Sequence, residues 1–258
     1  MYVLTRGKML VLLVLIGSSW ALGLFSFSYY WNKASQIAVS STYRADYSTQ
    51  IIEIRPSVIK LPSPITTGAM SVEEAMFRRR SRREYLDKPL ESIHLSQLLW
   101  ASQGITEPKW GLRTAPSAGG TYPLEIYVVI GERCVRDLTA GVYRYNPKDH
   151  TIILVISGDC RPGLSAAALS QPSIANAPVN IVVAAVYERT TQTYGSRGGR
   201  YVDMEAGHVG QNVYLVATAL GLGTVVVGAF HDEQVQQVLR LPKDQVPLYL
   251  IPVGYPKE

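Results

Sequence analysis

The sequence predicts an α+β domain in which an antiparallel or mixed sheet is flanked by helices. Two apolar runs, LEIYVVI at 124–130 and VNIVVAAVY at 179–187, read as buried strands. GVYRY at 141–145 and TIILVIS at 151–157 enclose NPKDH, which reads as a β-hairpin around a Pro-Asp turn. Helical segments lie among these strands with no regular βαβ repeat, which points to a layered rather than a doubly wound architecture.

The remaining elements follow in chain order. Ser71 is a helix N-cap with Glu74 three residues on, the capping-box spacing. A second helix is expected from about His94 to Gln103, with Leu95, Leu98 and Leu99 on one face and Gly104 as its stop. Residues 165–177 are partly helical and broken by Pro172. A long helix is expected from Asp203 to Leu220, because Val209, Val213, Val216 and Leu220 recur at helical spacing. Gly221 and Gly223 end it, TVVVG follows as a strand, Asp232 caps a short helix, and LYLIPVG at 248–254 is the last strand.

The first 68 residues are expected to lie outside this domain, which then covers 69–258. No charged residue occurs from Met9 to Asn32, a run long enough to cross a hydrocarbon core. Arg6 and Lys8 precede it, and Tyr29, Tyr30 and Trp31 stand where an interface would be, so an anchor over 1–32 leaves the rest outside the cytoplasm. A cleaved signal segment, and hence secretion, is the alternative. Residues 33–68 read as a Ser/Thr/Pro-rich tether, with IIEIR at 51–55 as one edge strand.

Net charge is +5, from 25 basic and 20 acidic side chains. Much of the excess is local: Arg78, Arg79, Arg80, Arg82 and Arg83 stand almost together. A cluster of this kind suits a bound anion, and no nucleic-acid-binding motif accompanies it. Two cysteines, Cys134 and Cys160, make neither a disulfide framework nor a metal site; unpaired thiols are expected, with one disulfide between them the alternative if the domain is exported. Asp203, Glu205 and His208 share a helix but match no ligand spacing. Gln211 and Asn212 are expected to satisfy buried backbone, and His94, His150 and His231 to lie at the surface or at caps.

Two motifs carry chemistry. Guanidinium groups grip a phosphate by bidentate, charge-assisted hydrogen bonds, and a fixed cation stabilises the negative charge of a reduced flavin ring. RRRSRR can serve both ends of a flavin mononucleotide if the chain bends across it. The second motif, APSAGGTYP, places small residues and adjacent glycines where backbone N–H groups can approach a ligand closely.

With these segments the chain resembles the nitroreductase-like flavoproteins, and within them the SagB-type dehydrogenase family that includes azoline oxidases. The resemblance spans about Leu61 to Gly254 and rests on RRSRREY at 79–85, LLWASQGI at 98–105, PSAGGTYPLE at 116–125 and YGSRGGRYVDMEAGHVGQNVYLVATALGLGTVVVGAF at 194–230. It implies a homodimer with two FMN sites at the interface. It implies FMN contacts from Arg79, Arg80, Ser81 and Arg83, with Arg83 closest to the ring. Pro116, Ser117, Ala118 and Gly120 would come from the partner subunit, and Gly228 and Ala229 would lie beside the ring, with Lys257 a further candidate. Gly120 stands where simpler nitroreductases carry Asn. Azoline oxidases carry a Lys-Tyr pair for proton removal. Tyr194 matches the Tyr as the catalytic candidate, but Thr193 replaces the Lys and is no useful base. The resemblance implies hydride transfer through flavin on a small-molecule or peptide substrate. A nicotinamide-dependent nitro or quinone reductase and a degenerate binding module are the alternatives.

Overall fold

A computed structural model describes residues 57–257. Seven strands form one sheet: β1 (Val58–Lys60), β4 (Leu124–Ile130), β5 (Gly141–Asn146), β6 (Thr151–Ser157), β7 (Val179–Ala185), β8 (Gly223–Thr224) and β9 (Val246–Gly254). Their spatial order is β1-β6-β5-β4-β7-β9-β8, and every neighbouring pair is antiparallel. A separate two-stranded ribbon joins β2 (Ile105–Glu107) to β3 (Leu112–Arg113).

The central strands β4 and β7 are apolar but for Glu125 and Asn180, because both faces of the sheet are covered. Side chains alternate across a strand, so Ile126, Val128 and Ile130 face one layer while Tyr127 and Val129 face the other. On the first side they meet α2 (Ser92–Gln103) and the 22-residue α6 (Gly198–Ala219), through Leu95, Leu98, Leu99, Val202, Val209 and Val213. On the second side they meet α3 (Arg161–Ala167), α4 (Pro172–Asn176) and α7 (Asp232–Leu239), through Leu164, Ile174, Val235 and Leu239. Truncating one of these buried leucines to Ala would cost about 2–5 kcal/mol. The expected α+β layering is therefore observed, with the sheet fully antiparallel.

Several expectations need correction. The segment read as a tether is partly built into the sheet. Val58–Lys60 pairs with β6, Leu61 is buried, and Ile65 exchanges backbone hydrogen bonds with the Gln97 amide at 2.8 and 2.9 Å. The expected edge strand at 51–55 and the anchor or signal segment over 1–32 lie outside the described residues. Among the described residues no helix is long and apolar enough to cross a membrane. TVVVG is not a full strand, because only Thr224 and Val227 pair with β9 and the Val226 N–H turns away to the Tyr214 hydroxyl at 3.0 Å. The long helix starts at Gly198 rather than Asp203, after α5 (Glu188–Tyr194), a polar helix with no apolar period to reveal it. Asp232 lies in the first turn of α7 rather than at its cap, which is His231. His150 is half-buried and bridges Tyr145 Oη (2.8 Å), Ser96 Oγ (2.8 Å) and the Pro62 carbonyl (3.0 Å), so it locks the segment leading to α2.

Other expectations hold in detail. Ser71 caps α1 (Val72–Arg78) by accepting the Glu74 N–H at 3.1 Å. Asn212 Nδ2 donates to the carbonyls of Ala101 (3.1 Å) and Thr114 (3.3 Å), tying α6 to α2 and to the loop beyond it. Cys134 and Cys160 are free thiols.

Candidate functional site

The arginine segment leaves α1 in extended form. Ser81 bridges Thr224, Tyr85 bridges Pro256, and the Arg82 N–H donates to the Thr224 carbonyl at 2.9 Å. Tyr85 anchors the segment: its ring is buried and its hydroxyl donates to the carbonyls of Arg82 (2.8 Å) and Pro252 (3.2 Å). Successive side chains then diverge. Arg79 lies over the Tyr214 ring at 5.1 Å, and Ser81 Oγ is 2.9 Å from the Tyr214 hydroxyl. Arg80 folds back onto the carbonyls of Phe77 (3.0 Å) and Arg79 (2.7 Å) and, with Arg78 and Arg82, lines a different hollow at the end of α6. Arg83 opens into a cleft of ≈ 650 Å³ that it shares with Lys257, Arg161 and Asp87. The structure therefore joins Arg79 with Ser81 and Arg83 with Lys257, and sends Arg80 elsewhere.

Tyr214 was not singled out in the sequence, yet it organises the first group. Its hydroxyl accepts the Val226 N–H and meets Ser81, joining the arginine segment to the chain that leads to Gly228. Gly210 permits this approach, since a Cβ there would stand 3.3 Å from the Val226 side chain. Gly228 packs on the Tyr249 ring, and the Ala229 carbonyl accepts from Gln171 at 2.9 Å, leaving both residues exposed at the sheet edge.

The Pro116–Gly120 turn lies elsewhere on α6. Gly119 and Gly120 have φ of +61° and +64°, the left-handed conformation that explains adjacent glycines. Tyr194 stands over this turn: a Cβ on Gly119 would lie 2.6 Å from its hydroxyl, and its ring meets Tyr201 edge-on at 5.1 Å. Ser117 Oγ accepts the Tyr122 N–H at 2.9 Å, and the Pro116 carbonyl lies 3.4 Å from His208 Nδ1. Thr193 is exposed on α5. Behind the turn a polar group is buried. Gln103 Nε2 donates to Glu205 Oε1 at 3.3 Å, and Arg113 Nη1 donates to Gln103 Oε1 at 3.0 Å. Burial pushes the Glu205 carboxyl above the usual glutamate range. Among the described residues no His, Cys, Asp and Glu gather as a metal site.

These residues fit a nucleotide-like anion. Among the described residues no carboxylate pairs with Arg79, Arg80, Arg82 or Arg83, whereas Arg78, Arg136, Arg161 and Arg189 all have acidic partners. The left-handed Gly119–Gly120 backbone, with no side chain, lets another group approach closely, as the Tyr194 hydroxyl does at Gly119.

Comparison with known proteins agrees. The model of the nitroreductase family matches residues 76–255. A Methanocaldococcus jannaschii protein with a provisional nitroreductase name is 49% identical over 185 residues, which cover 72% of this chain and 91% of that protein. A solved structure from Ralstonia eutropha, also with a provisional nitroreductase name, superposes with a TM-score of 0.67 at 29% identity, covering 79% of this chain and 94% of that one. The microcin B17-processing protein of Escherichia coli is 27% identical over 171 residues, covering 63% of this chain and 61% of that protein.

Proposed function

The chain belongs to the nitroreductase family of oxidoreductases, and on that premise we propose that it binds FMN between two copies of itself. The observation that carries this reading is the separation of the two motifs. Tyr214 gathers Arg79 and Ser81, while His208 borders the Pro116–Gly120 turn, roughly 9 Å away along the same helix axis. Neither motif encloses a ligand alone, and a second copy would bring the turn of one chain to the arginines of the other. The outer side of α1 supports such a contact. Val72, Met76 and Phe77 are 59%, 55% and 79% exposed, an apolar patch beside the arginine segment.

When bound, FMN supplies two-electron hydride chemistry at its N5. The chain's residues do the rest. Arg79, Arg83 and Lys257 neutralise the phosphate and the electron-rich ring edge, Ser81 donates a hydrogen bond, and Gly228 and Ala229 leave a ring face uncovered. Tyr194 is the proton-moving candidate at its Oη. Thr193 supplies no base, which favours nitro or quinone reduction from a nicotinamide donor, in line with the provisional name of the Methanocaldococcus protein. The likeness to the microcin-processing protein favours a SagB-type oxidation of a peptide substrate. The apolar run at 9–32 would hold the domain at a membrane with its site outside the cytoplasm. The test is the visible spectrum of the purified chain, with the cofactor released by heat and identified. Stoichiometric FMN is expected. A colourless protein that takes up no added FMN contradicts the reading and leaves a binding module. Turnover with nitro, quinone and peptide substrates separates the two enzymes.

A further inference from the structure

Glycines shape the turn between α5 and α6, where the chain reads YGSRGGRY at 194–201. Gly195 has φ +56° and ψ −140°, a backbone conformation open to glycine and strained for other residues. At Gly198 a Cβ would stand 2.8 Å from the Thr191 Cα, so the turn closes on α5 only without a side chain there. Between these two glycines the turn presents Arg197, exposed at the start of α6.

Arg197 is held from one side. Its Nε donates to the Tyr201 hydroxyl at 3.1 Å, and its guanidinium lies 5.8 Å from the centre of that ring. Tyr201 in turn meets the Tyr194 ring edge-on at 5.1 Å, and the Tyr194 hydroxyl stands over Gly119. A chain of contacts therefore runs from Arg197 through two tyrosines to the Pro116–Gly120 turn.

Nothing among the described residues accounts for the charge. No carboxylate there pairs with Arg197 or with Arg200, one turn further along α6. The acids nearest in the chain have other partners. Glu188 accepts from the Gln192 amide at 3.2 Å, and Asp203 accepts from the Tyr187 hydroxyl at 2.6 Å. Helix stability does not explain Arg197 either, because a cation at the N-terminal end of a 22-residue helix opposes the helix dipole. With Nε engaged by Tyr201, the two terminal nitrogens of the guanidinium remain as a planar pair of donors.

We propose that Arg197 sets the substrate class of the site: an aromatic compound carrying a carboxylate, gripped by the guanidinium while its ring lies beside Tyr194 and Tyr201. A planar pair of donors matches a carboxylate, and tyrosine rings suit a planar aromatic neighbour. The proposal rests on the flavin reading above, under which the Pro116–Gly120 turn, and Arg197 with it, faces the flavin of the other copy.

The experiment measures binding of benzoate, of its neutral counterpart benzamide and of inorganic phosphate to the oxidised, FMN-loaded chain by calorimetry, with FMN content recorded for each preparation. The wild type should bind benzoate roughly tenfold more tightly than benzamide. Arg197→Ala should abolish that preference and leave benzamide affinity and FMN content unchanged. Arg197→Lys should keep part of it, since the charge stays and the planar pair is lost. A wild type without the preference, or an Arg197→Ala chain that retains it, overturns the proposal. Equal weakening of benzoate and benzamide makes Arg197 structural and overturns it as well. Phosphate bound more tightly than benzoate overturns the assignment to a carboxylate. A chain that holds no FMN overturns the flavin reading itself, whereas one that holds FMN and shows no carboxylate preference leaves that reading standing and sinks this one.

Discussion

The two ends of α6 hold their polar residues in opposite ways. Toward its C-terminus, Tyr214 gathers Arg79 and Ser81 at an exposed sheet edge where cations outnumber acids and stay unpaired. Toward its N-terminus, Glu205 is buried, Gln103 donates to it, and Arg113 in turn donates to Gln103. The open end is short of an anion and the buried group is complete. Charge without a partner suits a ligand-gripping surface, whereas a satisfied buried network suits a part that must hold its shape. One helix thus carries the gripping half of a cradle and the shaping half, facing different copies of the chain under the proposed assembly.

Variants at the two ends should therefore fail differently. The largest effect is expected at the open end. Arg79→Ala with Arg83→Ala removes two charge-assisted grips and should weaken FMN binding by roughly 10²-fold or more, with the thermal melt unchanged. Unaltered FMN content would remove the arginines from the site. At the closed end, Gly119→Ala forces a side chain into left-handed backbone and toward the Tyr194 hydroxyl. It should cost about 1 kcal/mol in denaturant unfolding and weaken FMN roughly tenfold. Loss of stability without loss of affinity would make the turn merely structural.

Glu205 sharpens the contrast further. Burial raises its pKa, so the fold favours the protonated form. The stability from that preference is present in full below the unfolded glutamate pKa and is lost as pH rises through the raised value. Apo Glu205→Gln should therefore melt with the wild type at acid pH and above it at neutral pH. A lower melt at neutral pH would contradict the reading that burial of this carboxylate costs stability. The smallest effect is expected from Arg80→Ala, since Arg80 folds onto the Phe77 and Arg79 carbonyls. FMN affinity should stay within about twofold, and a large loss would return Arg80 to the cradle.

The parts of the molecule that rest on local pattern were legible in the sequence. The strand at 124–130 matches its apolar run residue for residue, and Ser71 caps its helix as the spacing required. Asn212 met the expected backbone carbonyls. What was hidden depends on long-range neighbours. RRRSRR reads as one cluster, but extended backbone sends alternate side chains apart, so Arg80 leaves Arg79 and Ser81. TVVVG has strand composition, yet the Tyr214 hydroxyl takes the Val226 N–H that a ladder would have used. Glu205, with Asp203 and His208, matches no ligand spacing in the sequence, and only the packing of α2, with Gln103 against it, shows that it is buried. His150 was hidden in the same way, because its partners are 5, 54 and 88 residues away.

The central claim is that the two ends of α6 serve different flavins, and mixing two defective chains tests it most directly. Arg79→Ala/Arg83→Ala lacks the gripping half and Gly119→Ala impairs the shaping half. The two are unfolded and refolded together in equal amounts, and FMN is titrated at a concentration that neither retains alone. If the halves come from different copies, each mixed dimer holds one intact site, so roughly one site in four should regain tight binding. If both halves serve the flavin of their own chain, mixing restores nothing, and the account of a shared cradle is wrong.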